Sequence, residues 1–154
     1  MFGRDHRRPT PVRAWEGIAA ALRKSDFFLC NLETTIGTGG VPRDKQFVFR
    51  SPPAVLDRLG AFPRAVAGLA NNHMMDFGVE GLAGTLAVLD AGSIAHAGAG
   101  MNATGADAPA VLSSGGLTIQ VFSAGMDNDP RSFAGDALPG IAPISLRVLR
   151  QQIA

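Results

Sequence analysis

The sequence predicts an α/β fold, and three observations carry that prediction. Short apolar runs bounded by turn signals, Asp26-Phe-Phe-Leu-Cys-Asn31 and Ala65-Val-Ala-Gly-Leu-Ala70, read as buried strands. The segment Val79 to Ala91 places Leu82, Leu86 and Leu89 at helical spacing, with Val79 and Val88 beside them. Strand and helix patterns then alternate along the chain, as an α/β arrangement requires.

Taken in order, Thr10-Pro11 reads as an N-cap with proline at the first helical position. The helix it opens runs from Val12 to Lys24, with Trp15, Ile18, Ala19 and Leu22 on one face. The strand Asp26–Asn31 follows, and Asn31-Leu-Glu33 lies at its carboxyl end. Thr38–Pro42 is a loop, and Gln46–Arg50 alternates as a short strand or extended segment. Pro52-Pro53 opens a helix to about Leu59. The strand Ala65–Ala70 precedes a polar turn. The helix Val79–Ala91 ends at Gly92, a natural C-cap. Ile94–Ala97 is a short strand, and Gly98-Ala-Gly100 a flexible turn. Pro109–Ser114, Gly115-Gly116 and Leu117–Ser123 form a hairpin pattern. Met126–Gly140, rich in Asp, Pro and Gly, reads as a loop, and Ile144–Ile153 as a final helix.

The chain has 154 residues, the size of one domain with a proper core. Its 46% hydrophobic and 18% charged residues describe a globular protein, not a disordered one. A net charge of +1 implies no nucleic-acid or anionic-membrane partner. Arg4, Arg7, Arg8 and Arg13 cluster near the start and read as a solvated segment. The single Cys30 excludes an internal disulfide and a cysteine-based zinc site, and reads as a buried thiol. No stretch is long and apolar enough to span a membrane. The basic start leads into Pro9 and Pro11 and not into the apolar core of a secretory signal. A cell-envelope or extracellular location follows if the native N-terminus carries a signal or anchor, and a cytoplasmic one otherwise.

The chain is organised around Gly68-Leu-Ala-Asn-Asn-His-Met-Met-Asp-Phe-Gly78. Asn71, Asn72, His73 and Asp76 fall on the turn between a strand and a helix, where open α/β sheets bind ligands. Backbone amides opening the next helix favour an anion there. The bland alternative is that the asparagines form turns and caps, with a solvated histidine. A second strand end presents Asn31 and Glu33. Carboxylate, amide oxygen and imidazole are ligand types for a hard or borderline divalent cation. A histidine that is not a ligand can protonate a leaving group. Glu33 reads equally as a loop acid or cap acceptor.

Asn31-Leu-Glu33, Phe47-Val-Phe-Arg-Ser-Pro52, Leu69-Ala-Asn-Asn-His73 with Asp76 and Gly78, and Gly98-Ala-Gly100 resemble the CapA family. These are capsule or poly-gamma-glutamate synthesis proteins within the calcineurin-like metallophosphoesterase superfamily. The resemblance implies a layered α/β sandwich, here a partial one, with metal ligands at the carboxyl ends of strands. It implies Asn31, Glu33 and Asn72 as ligands of a divalent metal (Mn, Zn, Fe or Mg). Asn31 stands where the superfamily usually has a bridging Asp, so Glu33 would supply the missing charge. His73 would be the catalytic acid or phosphate contact. Asp76 would orient the turn or His73. Arg4, Arg50 and Asn71 are the candidate substrate contacts, and Arg50 reads equally as a surface arginine. His6 and His96 read as incidental.

Met1-Phe-Gly-Arg4 is similar to the second half of the family's Gly-Asp-x-Met-x-Gly-Arg motif. The expectation is one domain over 1–154 that lacks the family's first strand and the late Gly-His-x-His motif. Alone it would hold metal weakly and turn over poorly. The expected function is a metal-dependent phosphoesterase-like hydrolase in making, exporting or anchoring an anionic cell-surface polymer. The rival readings are a non-catalytic module that binds that polymer, and an inactive piece whose unpaired sheet edges invite self-association.

Overall fold

The computed structural model describes residues 19–145 and residue 150. Residues 19–22 are helical, the described part of the helix expected over 12–24. Met1–Arg4, His6 and most of the helix expected over Ile144–Ile153 lie outside the described residues. The rest is α/β, with both parallel and antiparallel strand pairs.

Three parallel strands form the sheet that carries the site. They are β1 (Phe28–Asn31), β4 (Ala65–Gly68) and β5 (Ala95–Ala97), in the order β1-β4-β5. The register sets Asn31 beside Gly68 and Gly68 beside Ala97, so the carboxyl ends of all three strands are level. In β4, Ala65, Val66 and Ala67 are all buried, so successive side chains on both faces are covered, as expected of a central parallel strand. The strand stops at Gly68, two residues earlier than the apolar run, because Leu69 and Ala70 turn toward the polar cluster.

Two smaller pairs sit beside this sheet. β2 (Thr35–Ile36) runs parallel to β3 (Arg50–Ser51). Of the segment 46–50, expected as a short strand or extended segment, only Arg50 is in a strand. Between β3 and β4 lies α1 (Val55–Leu59), begun by the turn at Pro52-Pro53. β4 leads through the turn 69–77 to α2 (Gly78–Ala91), whose capping Gly92 donates its N–H to the Val88 carbonyl. α2 buries Gly81, Leu82, Thr85 and Leu89, one stripe at spacings of three and four.

Gly98-Ala-Gly100 is not a flexible turn. Ala99 and Gly100 form β6, antiparallel to β9 (Gly140–Ile141), and both strands are buried. Two-residue strands have no periodicity to read, and this pairing joins residues about forty positions apart. The short helix α3 (Ala103–Asp107) follows, with Asn102 capping the Gly105 amide. β7 (Ala110–Ser114) and β8 (Leu117–Val121) make the expected hairpin. Gly115 and Gly116 both adopt positive φ, +58° and +81°, as a two-residue turn of this hand demands. Within 126–140, Pro130–Ser132 forms one 3₁₀ turn capped by Asp129.

The core joins the sheet to α2 through Leu69, Met74, Met75, Leu82, Leu89 and Ile141, all nearly inaccessible. One polar link crosses it. Thr85 Oγ1 accepts the Ile36 N–H at 2.8 Å and donates to the Gly81 carbonyl at 2.7 Å, binding α2 to β2. Thr85→Val keeps the shape and strands the Ile36 donor. It is expected to cost about 1–3 kcal/mol, read as a lower urea midpoint at unchanged slope. An unchanged midpoint would show that Ile36 finds another acceptor.

Candidate functional site

The turn 71–77 is anchored and not loose. Met74, Met75 and Phe77 are buried around it, and successive turns bond Met74 N–H to Asn71 O and Asp76 N–H to His73 O. His73 is thereby held at the level carboxyl ends of the sheet, with its side chain 13% exposed. Gly125 lets the following loop lie against this turn. A Cβ there would sit 2.1 Å from the Ala70 carbonyl oxygen.

Asp76 is the centre of the arrangement. Its side chain is fully buried. Oδ2 meets His73 Nδ1 at 2.8 Å and accepts the Phe49 N–H at 2.7 Å, while Oδ1 receives Lys45 Nζ at 2.7 Å. A carboxylate out of water needs such donors, since each unpaired lone pair costs desolvation. The Asp76 contact makes Nδ1 of His73 the proton-bearing nitrogen of the neutral ring and leaves Nε2 without a partner among the described residues. The Phe49 ring lies on the imidazole at 4.1 Å between centroids. Asp76 thus contacts both His73 and the segment that carries Lys45 and Phe49.

Asn71 is buried and spends its amide inside the protein. Nδ2 donates to Asn31 Oδ1 and to the Leu32 carbonyl, both at 3.0 Å, and Oδ1 accepts the His73 N–H. Asn31 Nδ2 donates in turn to Glu33 Oε1 at 3.0 Å. The two strand ends are thus joined by the chain Asn71–Asn31–Glu33. Arg50 donates to the carbonyls of Thr38, Gly39 and Gly40 and lies over the Phe77 ring at 3.5 Å. Its guanidinium holds the 38–40 loop. Arg4 lies outside the described residues.

Two clefts flank the cluster. One, of about 630 Å³, is lined by Arg43, Lys45 and Asn72 on one side and by 126–131 on the other. The second, of about 380 Å³, is largely apolar, with Phe28, Phe49, Leu59 and Phe62 in its wall and Asn31, Glu33 and Arg50 at its polar part. Asn72 therefore lines a different cleft from Asn31 and Glu33. Among the described residues no group of three His, Cys, Asp or Glu side chains is placed to hold a metal ion. Asn31 and Glu33 offer one carboxylate and one amide oxygen, the carboxylate accepting from Asn31 Nδ2 and the amide oxygen from Asn71 Nδ2. That set is short of both charge and coordination number for a divalent cation. The described residues do not by themselves fit a metal.

Sequence reasoning missed Lys45 and Arg43. Arg43 Nη1 reaches Ser132 Oγ at 2.8 Å and Asp129 Oδ2 at 3.4 Å, tying the 43–45 segment to the 3₁₀ turn. Nothing local marks either residue, because their side-chain partners lie 27 or more positions away for Lys45 and 86 or more for Arg43. His96 pairs with Asp90 at 3.0 Å, away from the cluster. Cys30 is partly buried in the sheet, and burial pushes its thiol up.

Arg131 forks onto Asp129 through Nε and Nη2, and that hydrogen bonding, aided by the Arg131 amide and by Arg43, holds the Asp129 carboxyl down to about 2. A carboxyl whose folded value lies below its unfolded value of about 3.9 contributes stability above the unfolded value. That contribution fades as pH falls toward 2. A carbon-detected titration is expected to show Asp129 ionised through pH 3, and Arg131→Gln to move its midpoint upward. A wild-type midpoint in the ordinary carboxylate range would contradict the fork.

An α/β protein with a histidine–carboxylate pair at the carboxyl ends of a parallel sheet is the class these features define. A family model described as bacterial capsule synthesis protein PGA_cap matches residues 2–145. The chain belongs to that family, the CapA family of the sequence reading. A probable polyglutamine synthesis accessory protein of Mycobacterium tuberculosis is 37% identical over 115 residues, covering 71% of this chain and 30% of the relative. An uncharacterized protein of Sinorhizobium fredii is 31% identical over 141 residues, covering 84% of this chain and 31% of its own length. The chain thus spans less than a third of the length of these relatives. No helix among the described residues is long and apolar enough to cross a membrane.

Proposed function

We propose that this chain supplies the proton-transfer part of an active site. The site hydrolyses a phosphoester or related ester during the making, export or anchoring of an anionic cell-surface polymer. The observation that carries this reading is the contact of 2.8 Å between fully buried Asp76 and His73 Nδ1. An imidazole gripped in this way has a fixed tautomer and orientation. Its Nε2, which has no hydrogen-bond partner among the described residues, is left free to take up a proton from solvent and pass it to a leaving oxygen. The capsule-synthesis family and the name of the mycobacterial relative supply the polymer context. The substrate would be the polymer or a phosphate-bearing precursor. A divalent metal taking part would draw donors from outside the described residues.

The test is turnover of a chromogenic phosphodiester by the full-length protein, beside its His73→Ala variant. Activity that depends on His73 supports the reading, and its loss on chelation decides whether a divalent ion takes part. Equal rates for the two proteins would sink it. The absence of a three-residue metal cluster among the described residues favours a second reading, a module that binds the anionic polymer without chemistry. Chelator-insensitive binding of poly-gamma-glutamate by a protein inactive in the first assay would establish it.

A further inference from the structure

We infer that Lys45 is the positioning residue that holds the Asp76–His73 pair in its working geometry. The inference rests on His73 as proton carrier and adds the group that keeps it in place.

Lys45 Nζ makes two contacts, to Asp76 Oδ1 at 2.7 Å and to the Asn72 carbonyl at 2.5 Å. It therefore bridges the residue before His73 and the carboxylate three residues after it. Asp76 Oδ1 receives no other donor among the described residues, whereas Oδ2 serves both Phe49 N–H and His73 Nδ1. With Lys45 in place the carboxylate cannot rotate to exchange its oxygens, and Oδ2 stays on the imidazole. Without it, Oδ1 is a buried acceptor with nothing to accept, and the plane of the carboxylate is no longer set.

The rest of the same segment reinforces the grip. Phe49 places its amide on Oδ2 and its ring against the imidazole face. Arg43 donates its backbone N–H to the Asp76 carbonyl at 2.8 Å, and its side chain is tied to Ser132. Lys45 is thus delivered to Asp76 by a segment fixed on both sides. Its side chain is 28% exposed and lines the larger cleft, while Asp76 is fully enclosed. A mere charge pair would be satisfied from one side. The second contact, to the backbone beside His73, is what makes this a clamp on the histidine.

The experiment compares the full-length protein with Lys45→Met, which keeps the apolar stem, and Lys45→Arg, which restores a cation. Two quantities are read: phosphodiester turnover, split into kcat and KM, and the proton resonance of His73 Nδ1–H. Lys45→Met is expected to lower kcat on the order of ten- to a hundred-fold with KM little changed, as small misplacements of reacting groups do. The His73 resonance should broaden or vanish through exchange with water, and Lys45→Arg should recover part of both. Wild-type kcat with an unaltered resonance overturns the inference. So does a raised KM at constant kcat, which would make Lys45 a substrate contact, or a fall in kcat with the resonance unchanged. If Lys45→Met does not fold, Lys45→Gln is judged by the same two readings. If His73→Ala turns over as well as wild type, the hydrolase reading fails, and the resonance alone still decides whether Lys45 positions the pair.

Discussion

Asp76→Ala is expected to lower the unfolding free energy by about 3 kcal/mol, among the larger effects of any single substitution in this chain. Three donors converge on this one carboxylate: the Phe49 amide, His73 Nδ1 and Lys45 Nζ. They lose it at different cost. Lys45, at 28% exposed, turns into the larger cleft and is rehydrated, so its share is small. The Phe49 amide has less escape, because its half-buried residue is packed against the His73 ring. A buried donor left without an acceptor costs about 1–3 kcal/mol, and His73 Nδ1 adds a second, smaller amount. The damage should be local in place as well as in size. The segment 43–49 would lose its ties to the carboxylate while keeping its other bonds, among them those from Arg43 to the residue 76 carbonyl and to Ser132, and from Thr35 to the Phe49 carbonyl, so exchange of the Phe49 amide should accelerate well beyond that of β4. Denaturant unfolding gives the first quantity and amide exchange the second. A destabilisation within about 0.5 kcal/mol would mean that water replaces Asp76 without penalty and that the carboxylate is not the keystone of the turn.

The legible and illegible parts of this structure divide along sequence separation. α2 was readable because Leu82, Leu86 and Leu89 repeat within one helix, and Gly92 stops it. β4 was readable because a central parallel strand is apolar on both faces, and the β7–β8 hairpin because two glycines sit where both φ angles are positive. The pairs β2–β3 and β6–β9 are two residues long and joined across many positions, so no local pattern announces them. The site shows the same division. The Asn71–Asp76 cluster is contiguous, and its place at a strand end followed from the apolar run before it. Lys45 was invisible because its meaning lies in a carboxylate 31 residues later, and a lone lysine before Phe47 looks like any solvated lysine. Arg50 and Asn71 have partners that their residue types did not announce. Their residue types suited substrate contacts, and in the structure their hydrogen bonds run to backbone carbonyls and neighbouring side chains of the protein itself.

His73→Ala in the full-length protein is expected to reduce turnover about 10²–10⁴-fold, the range that one placed acid or base contributes. The effect should fall on kcat more than on KM, because a proton delivered to a leaving oxygen matters in the transition state and hardly in the bound ground state. Folding should survive. The His73 side chain takes part in one hydrogen bond and one ring contact, while the turn itself is held by Met74, Met75 and the backbone bonds around Asn71. His73→Gln sharpens the result. Glutamine can still donate to Asp76 and fill the space beside Phe49, but it cannot carry a proton from Nε2. A large loss in both variants therefore isolates proton transfer from packing. A loss in alanine restored by glutamine would assign His73 to architecture, and the cluster would then be a scaffold for binding. The buried carboxylate is the reason to expect the first outcome. Asp76 already receives Phe49 N–H and Lys45 Nζ, so the fold has two donors for it before the imidazole arrives. The third contact adds little that the turn requires for stability, and what it does supply is a histidine of fixed tautomer at the end of a parallel sheet.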